Sequence, residues 1–392
     1  MCLRMQYLGT MYAHRMGQLP PYLFARIDAM KAEKIKNGVD VIDLGVGDPD
    51  LPTPPHIVES LCEAARDPAN HHYPSYAGMG EYRSAVAGWY HSRFGVSLDP
   101  EREVLALMGS KDGIAHVPEA FVNPGEYVLS PSPGYPVYQT STLFAEGKVY
   151  EMPLSPENNF LPRLDEIPRK VAGAARLMFL NYPNNPTSAI TLPGFFEEAV
   201  DYARDHDLVI VHDNAYSEIS FDGYRAPSFL ATDGAMEVAI EMHSLSKTYN
   251  MTGWRIGMAC GNADILSGLG RIKTNVDSGV FNAVQRAAIT ALTGPQECVR
   301  EACAIYGHRR DVLVKGLIDI GYPVDPPKAT FYVWMRVDDS IRFATRMLDD
   351  AGIVVTPGVG FGKAGEGYVR FALTRSAERI AEAIERMRGL DL

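Results

Sequence analysis

The sequence predicts an α/β fold, in which a large domain with a mostly parallel seven-stranded sheet is joined to a smaller α+β domain. Three observations support this prediction. Seven short apolar runs recur between residues 41 and 261, separated mostly by amphipathic stretches, which is the pattern of βαβ units. From about Asp277 onward, long helical stretches and two further apolar runs replace that alternation. A chain of 392 residues also exceeds what one hydrophobic core usually supports.

The elements follow in chain order. After an N-terminal arm, a helix should begin at Pro20 and Pro21 and end before Gly38. The apolar runs predict strands within 41–47, 103–109, 126–132, 176–182, 207–213, 238–244 and 255–261. FNAVQRAAITAL and QECVREACAIYGHRRDVLVKGLIDI then predict two helices. FYVWMRV and GYVRFALT predict two strands, each followed by a helix. We predict an arm with part of the small domain over 1–45, a large domain over 46–282 and a small domain over 283–392.

Composition excludes several classes of partner. The net charge of −11 and the lack of a basic run disfavour a nucleic-acid surface. No run approaches the roughly 20 apolar residues that a membrane-spanning helix needs. The five cysteines are scattered without a Cys-x-x-Cys pair, and the histidines lack metal-ligand spacing. We therefore expect no disulfides, no metal, a cytoplasmic location and small-molecule partners.

The stretch SLSKTYNMTGWRIG (244–257) indicates a specific chemistry. It places Lys247 close to Ser244 and Ser246, with Arg255 eight positions later. A lysine amine attacks a carbonyl carbon only when it is unprotonated, and desolvated or cationic surroundings favour that form. Hydroxyls and a guanidinium are also groups that bind a phosphate dianion. A lysine beside a phosphate site predicts pyridoxal phosphate, whose aldehyde forms a Schiff base with a lysine.

This cofactor needs an acidic partner for its pyridinium nitrogen, and Asp213 is the candidate. It lies at the end of the predicted strand DLVIVHD, and ligands of α/β sheets gather at the carboxyl ends of strands. Taken alone, Asp213 would more often cap the following turn, and NYPNNPTS would first be interpreted as a turn.

Three motifs together resemble a known family. NNPT (184–187), DNAY (213–216) and SLSKTYNMTGWRIG, in this order and spacing, are similar to those of the class I/II aminotransferases of PLP fold type I. The resemblance extends over nearly the whole chain. It implies transfer of an amino group between an amino acid and a 2-oxo acid. It also implies that Lys247 is the catalytic residue, which carries the cofactor and moves the proton of the substrate Cα.

The same resemblance implies the cofactor contacts. Asp213 would salt-bridge the pyridinium nitrogen, and Tyr216 and Asn185 would hydrogen-bond the phenolic oxygen. Tyr135 would stack on the ring. The residues implied to bind the phosphate are Ser244, Ser246, Arg255, Ser110 and Lys111, the last two with their backbone N–H groups at a helix N-terminus.

The resemblance implies a substrate site and a partner subunit as well. Arg370 would hold the α-carboxylate, and the backbone of Gly47 would close over the substrate. The other residues implied to approach substrate are Asn185, Tyr22, Lys111 and Tyr135. Tyr73 would reach the phosphate of a neighbouring subunit, so a homodimer with shared active sites is expected. Taken alone, Arg370 would be a surface arginine, and HHYPSY would be an aromatic loop packed on the core.

Local sequence narrows the expected substrate. Segments such as QLPPYLFARID, GVGDPDLPTPPHIVE and GSKDGIAHVP are similar to those of LL-diaminopimelate aminotransferases, which use 2-oxoglutarate as acceptor in lysine biosynthesis. Two alternatives stay open: an aminotransferase of broader specificity for alanine, aspartate or glutamate, and a PLP-dependent lyase or decarboxylase. A transcription regulator on the same fold is less favoured, because no helix-turn-helix pattern precedes the first strand.

Overall fold

The computed structural model describes residues 12–19 and 23–390. Its strands are β1 (Ile42–Asp43), β2 (Val104–Leu107), β3 (Tyr127–Ser132), β4 (Lys148–Pro153), β5 (Ala175–Leu180), β6 (Val209–Asp213), β7 (Ala239–Ser244), β8 (Gly257–Gly261), β9 (Tyr332–Arg336), β10 (Ile353–Val354), β11 (Thr356–Pro357) and β12 (Tyr368–Ala372). Its α-helices are α1 (Leu23–Lys36), α2 (Pro55–Arg66), α3 (Gly80–Phe94), α4 (Ser110–Phe121), α5 (Val137–Phe144), α6 (Arg169–Ala172), α7 (Phe195–His206), α8 (Ala235–Val238), α9 (Leu245–Thr248), α10 (Ala263–Val276), α11 (Asn282–Thr293), α12 (Glu297–Asp319), α13 (Ser340–Ala351) and α14 (Ala377–Arg388).

The central sheet has seven strands in the order β2-β8-β7-β6-β5-β3-β4. Strand β8 is antiparallel to both of its neighbours, and the remaining neighbouring pairs are parallel. The predicted mostly parallel seven-stranded sheet is therefore confirmed. Most residues of its inner strands are buried, as expected when helices cover both faces of a parallel sheet.

The prediction is wrong for one strand of this sheet. Residues 41–47 contribute only β1, which pairs in parallel with β10 in a separate two-stranded sheet. The seventh strand is β4, which lies at the edge beside β3. Only Met152 of β4 is buried, so this strand lacks the apolar run that marks the others. Residues 41–47 are apolar for another reason, because Ile42 and Leu44 pack into the core of the C-terminal region.

The C-terminal region has its own sheet and core. Strand β12 lies between β11 and β9 and is antiparallel to both. Helix α14 packs against α12 and α13. The helices and strands predicted after residue 277 are confirmed, and the short strands β10 and β11 were not predicted.

Helix α1 ends at Lys36 and Gly38 follows it with φ +82°, as predicted, whereas Pro20 and Pro21 lie outside the described residues. The division of the chain into domains over 1–45, 46–282 and 283–392 stays a prediction. Helix α11 begins at the last of these boundaries and packs against α2 and α3, whose core it shares. Within the described residues, no helix has both the length and the apolarity to cross a bilayer.

Candidate active site

A cavity of about 230 Å³ lies at the carboxyl ends of β2, β3, β5, β6 and β7. These strands run in the same direction, so the residues that follow them meet at one edge of the sheet. Ten of the residues predicted for the site line this cavity: Gly47, Ser110, Lys111, Tyr135, Asn185, Asp213, Tyr216, Ser244, Lys247 and Arg370. Lining residues that were not predicted include Val46, Ala215, Tyr332 and Phe361.

Lys247 lies on the short helix α9, directly after β7. Its Nζ donates to the carbonyl oxygen of Gly47 at 2.9 Å and lies 5.6 Å from the centre of the Phe331 ring. Burial lowers the pKa of Lys247 to about 8; the carboxylate of Asp48 opposes this shift and the positive charge of Arg370 adds to it. A neutral, nucleophilic amine is therefore accessible near neutral pH.

Asp213 ends β6 with its carboxyl group buried. Its Oδ2 accepts a hydrogen bond of 2.8 Å from the hydroxyl of Tyr138 on α5. Its Oδ1 is buried and has no hydrogen-bond partner among the described residues. Burial raises the pKa of Asp213, and the bond from Tyr138 opposes that shift.

The unpartnered oxygen indicates what this cavity accepts. A buried polar atom without a partner costs about 1–3 kcal/mol, so Oδ1 is positioned to accept from a ligand donor. The protonated ring nitrogen of pyridoxal phosphate is such a donor, and Lys247 supplies an amine for its aldehyde. The residues of this cavity therefore fit the cofactor predicted from the sequence.

The N-terminus of α4 borders the cavity. Ser110 is the first residue of this helix, and the helix N-terminus presents unpaired N–H groups to the cavity edge. Ser244 also lines the cavity, whereas Ser246 does not, although its Oγ is buried without a partner in the described chain. Lys111 is exposed at the cavity edge.

Arg255 also lies outside the cavity lining. It is exposed, and its Nη1 donates to the carbonyl oxygen of Thr252 at 2.8 Å and its Nη2 to that of Met108 at 3.3 Å. Its guanidinium lies against Gly109, which caps α4 with φ +80°. A Cβ at position 109 would overlap Nη2, so a glycine there lets Arg255 approach the N-terminus of α4.

Arg370 on β12 is a buried cation. Its Nη1 donates to Asn185 Oδ1 at 2.8 Å and its Nη2 to the carbonyl oxygen of Gly45 at 2.7 Å. Its Nε is buried without a partner, and across the described ranges no carboxylate lies within 4.0 Å of the guanidinium. Burial lowers the pKa of Arg370, since desolvation disfavours its charge. Such a cation is ready to receive an anion from the cavity.

Two tyrosines that were not predicted lie next to predicted residues. Tyr138 bonds Asp213, and Tyr332 places its hydroxyl 3.0 Å from that of Tyr216. Tyr135, which was predicted, is half-buried, and its ring meets that of Tyr138 edge to face with centroids 5.8 Å apart. No local signal distinguishes Tyr138 from Tyr135 in the sequence, because the partner of Tyr138 lies 75 residues away.

Tyr73 is a further predicted residue that the structure does not bring to the cavity. Tyr73 is 88% exposed and absent from the lining, so within one chain it contributes nothing to the site. Tyr22 lies outside the described residues.

Comparisons with known proteins show which family this chain belongs to. A family model described as aminotransferase class I and II matches residues 39–387. An LL-diaminopimelate aminotransferase of Syntrophobacter fumaroxidans is 58% identical over 381 residues, covering 96% of this chain and 98% of that protein. The LL-diaminopimelate aminotransferase of Aquifex aeolicus is 54% identical and covers 97% of this chain and 99% of its own length.

Solved structures share the fold over nearly the whole chain. Substrate-bound BacF from Bacillus subtilis superimposes with a TM-score of 0.94 at 36% identity, covering 97% of this chain and 98% of that one. A double mutant of aspartate aminotransferase from Thermus thermophilus gives 0.90 at 30% identity, covering 96% and 98%. The chain therefore belongs to the class I and II aminotransferases, enzymes that depend on pyridoxal phosphate.

Proposed function

We propose that this aminotransferase moves an amino group between LL-diaminopimelate and 2-oxoglutarate, as a step of lysine biosynthesis. The observation that carries this proposal is the similarity to proteins of that name, at 58%, 55% and 56% identity over 96% of the chain. The aspartate aminotransferase of Thermus thermophilus, by contrast, is 30% identical. The cavity adds support, because its buried cation suits a substrate with an α-carboxylate.

The chemistry is divided between the cofactor and the chain. Bound pyridoxal phosphate supplies a reactive aldehyde and an aromatic ring that accepts an electron pair from the substrate Cα. Lys247 first holds the cofactor and then takes the Cα proton at its Nζ. Because its pKa is near 8, the amine is neutral often enough to act as a base and basic enough to hold the proton.

The remaining residues bind and orient. Asp213 holds a proton on the ring nitrogen, which keeps the ring electron-poor. Tyr216 donates to the phenolic oxygen. The Oδ1 of Asn185 accepts a hydrogen bond from Arg370, so its Nδ2 is left to donate to the phenolic oxygen of the cofactor. The residues that would bind the phosphate are Ser110, Lys111, Ser244, Ser246 and Arg255, and Tyr135 would pack against the ring.

Arg370 binds the α-carboxylate and thereby sets the direction of the Cα–H bond relative to the ring. Gly47 closes the cavity on the substrate side, and its carbonyl oxygen holds the Lys247 amine in reach. Lys111, Tyr135 and Tyr22 approach the distal end of the substrate in this proposal.

The active unit in this proposal is a homodimer with shared active sites. The 88% exposed ring of Tyr73 supports it, because a partner subunit would bury that ring. Sedimentation of the protein loaded with pyridoxal phosphate tests this. A monomer that retains full activity on dilution would contradict the dimer.

The substrate proposal is tested by single-turnover absorbance changes of the loaded protein with a panel of donors. We expect LL-diaminopimelate to react faster than meso-diaminopimelate, alanine, aspartate or glutamate, and turnover to require 2-oxoglutarate. The meso isomer is the matched control, because it differs at one α-carbon only. Equal rates across the panel would favour the broader aminotransferase. Release of ammonia from one amino acid without an acceptor would favour a lyase.

The lowered pKa of Lys247 gives a pH prediction. The rate at which the cofactor-free protein binds pyridoxal phosphate covalently should rise with pH up to about 8 and then level off. The reason is that only the neutral amine reacts, and its fraction approaches one above the pKa. Stopped-flow absorbance measures the rate. A rate that keeps rising to about pH 10.4 would indicate an unperturbed lysine.

Arg370→Lys should weaken binding of the amino acid more than it slows turnover. An ammonium cannot reproduce the forked contact of a guanidinium with a carboxylate. Loss of one charge-assisted hydrogen bond, about 1.5–3 kcal/mol, corresponds to a KM roughly 10–100-fold higher. Steady-state kinetics with varied amino donor measure the change. Arg336→Lys, at an exposed position on β9, is the matched control, and an unchanged KM at Arg370→Lys would remove this residue from substrate binding.

A further inference from the structure

Tyr332 is the first residue of β9 and is 2% exposed. Its hydroxyl lies 3.0 Å from the hydroxyl of Tyr216, and either oxygen could be the donor. Both residues line the cavity. Burial raises the pKa of Tyr216 well above its usual value, so its hydroxyl keeps its proton and remains a donor.

The backbone N–H and carbonyl groups of Tyr332 are held by two buried residues, each of which has a left-handed backbone conformation. Ser188 has φ +60° and Thr330 has φ +68°, which is unusual for a β-branched residue. Their hydroxyls lie 2.7 Å apart. Ser188 Oγ also donates to the Tyr332 carbonyl oxygen at 2.8 Å, and the Tyr332 N–H donates to Thr330 Oγ1 at 3.0 Å. Strain of this kind is kept only where the surroundings impose it, which often happens at functional sites.

The ring of Tyr332 is held as firmly as its backbone. The guanidinium carbon of Arg370 lies 4.1 Å from the ring centre, and the ring meets that of Tyr216 edge to face at 5.6 Å. A Cβ on residue 47 would overlap the Tyr332 hydroxyl, so a glycine there leaves room for this oxygen. Contacts with Arg370, Tyr216 and Gly47 therefore fix the position of the Tyr332 hydroxyl.

We propose that Tyr332 is a positioning residue, which donates a hydrogen bond to the Tyr216 hydroxyl and so directs the proton of Tyr216 into the cavity. The inference rests on the proposed contact between Tyr216 and the phenolic oxygen of the cofactor. A hydroxyl that accepts a hydrogen bond becomes a stronger donor. Tyr332 would therefore strengthen the bond from Tyr216, stabilising negative charge on that oxygen without itself touching the cofactor oxygen.

Tyr332→Phe tests this, because it removes only the hydroxyl. The measurement is the pH midpoint of the visible absorbance change of the protein loaded with pyridoxal phosphate. Weaker donation from Tyr216 stabilises the negative phenolic oxygen less, so the midpoint should rise, by about half to one pH unit for the loss of one hydrogen bond. The cofactor should also dissociate more readily from the variant, measured by equilibrium dialysis without substrate.

Tyr306→Phe is the matched control. Tyr306 is fully buried in the same core, its ring lies 5.4 Å from that of Phe331, and its hydroxyl has no partner in the described part of the chain. Its loss should leave the midpoint unchanged. An equal shift in both variants would show general loosening of the core and overturn the inference, as would an unchanged midpoint in Tyr332→Phe.

Ser188→Ala provides a second route if Tyr332→Phe does not fold. It removes the bonds to Thr330 and to the Tyr332 carbonyl oxygen while keeping the Tyr332 hydroxyl, and the midpoint should rise by a smaller amount. An unchanged midpoint in a folded Ser188→Ala protein would contradict the positioning role. Failure of the proposed function is distinguishable, because the midpoint is measured without an amino donor and does not depend on which donor the enzyme prefers.

Discussion

Lys247→Ala should abolish transamination and leave no borohydride-stable cofactor on the protein. Lys247 is half-buried at the cavity, and its Nζ is the amine in this site whose pKa is lowered to about 8. In the proposed mechanism its removal takes away both the covalent attachment and the base for the Cα proton. General acid–base catalysis alone contributes about 10²–10⁴-fold, so kcat should fall by at least about 10²-fold. Steady-state assays and mass spectrometry after borohydride reduction measure the two losses.

The matched control for this variant is Lys170→Ala, which removes an exposed lysine on α6. It should retain the reducible cofactor and full activity. A reducible adduct that persists in Lys247→Ala would mean that another lysine carries the cofactor, and our assignment of the site would then fail.

Asp213→Ala should leave much of the cofactor bound while slowing turnover by about 10²–10³-fold, the loss typical when one electrostatic group of a catalytic site is removed. The unpartnered Oδ1 is the group that would hold a proton on the ring nitrogen. Without that proton the ring accepts electrons from the substrate Cα less readily. Single-turnover kinetics with a saturating amino acid separate this chemical step from binding.

Two further variants serve as controls for Asp213→Ala. Asp205→Ala removes an exposed carboxylate on α7 and should have no effect. Tyr138→Phe removes the bond to Oδ2 and leaves Oδ1 intact, so its effect should be smaller than that of Asp213→Ala. Turnover that is unchanged in Asp213→Ala would exclude this residue from the mechanism.

The parts of the site that follow strand ends could be predicted from sequence. Asp213 ends β6, and Lys247 follows β7 by three residues, so strand prediction alone places both at one edge of the sheet. The turn after β5 brings Asn185 to the same edge. Local pattern is sufficient here because the geometry of a parallel sheet brings these positions together.

The supporting tyrosines could not be predicted in this way. Tyr138 and Tyr332 make their decisive contacts with residues 75 and 116 positions away, and neither contact has a local signature. The edge strand β4 was missed for a related reason, since half-exposed strands carry no continuous apolar run. Ser246 and Arg255 were predicted to bind the phosphate because they lie in the same motif as Lys247, whereas neither lines the cavity in the structure.

The isolation of Arg370 has a consequence for selectivity. Its guanidinium is buried beside neutral acceptors, Asn185 Oδ1 and the Gly45 carbonyl oxygen. An analogue of the proposed substrate that lacks both carboxylates, a simple diamine, would leave the buried positive charge uncompensated. Sites built around such a polar contact reject analogues that lack it by roughly 10⁴-fold. We therefore expect the enzyme to discriminate strongly against diamines that lack an α-carboxylate.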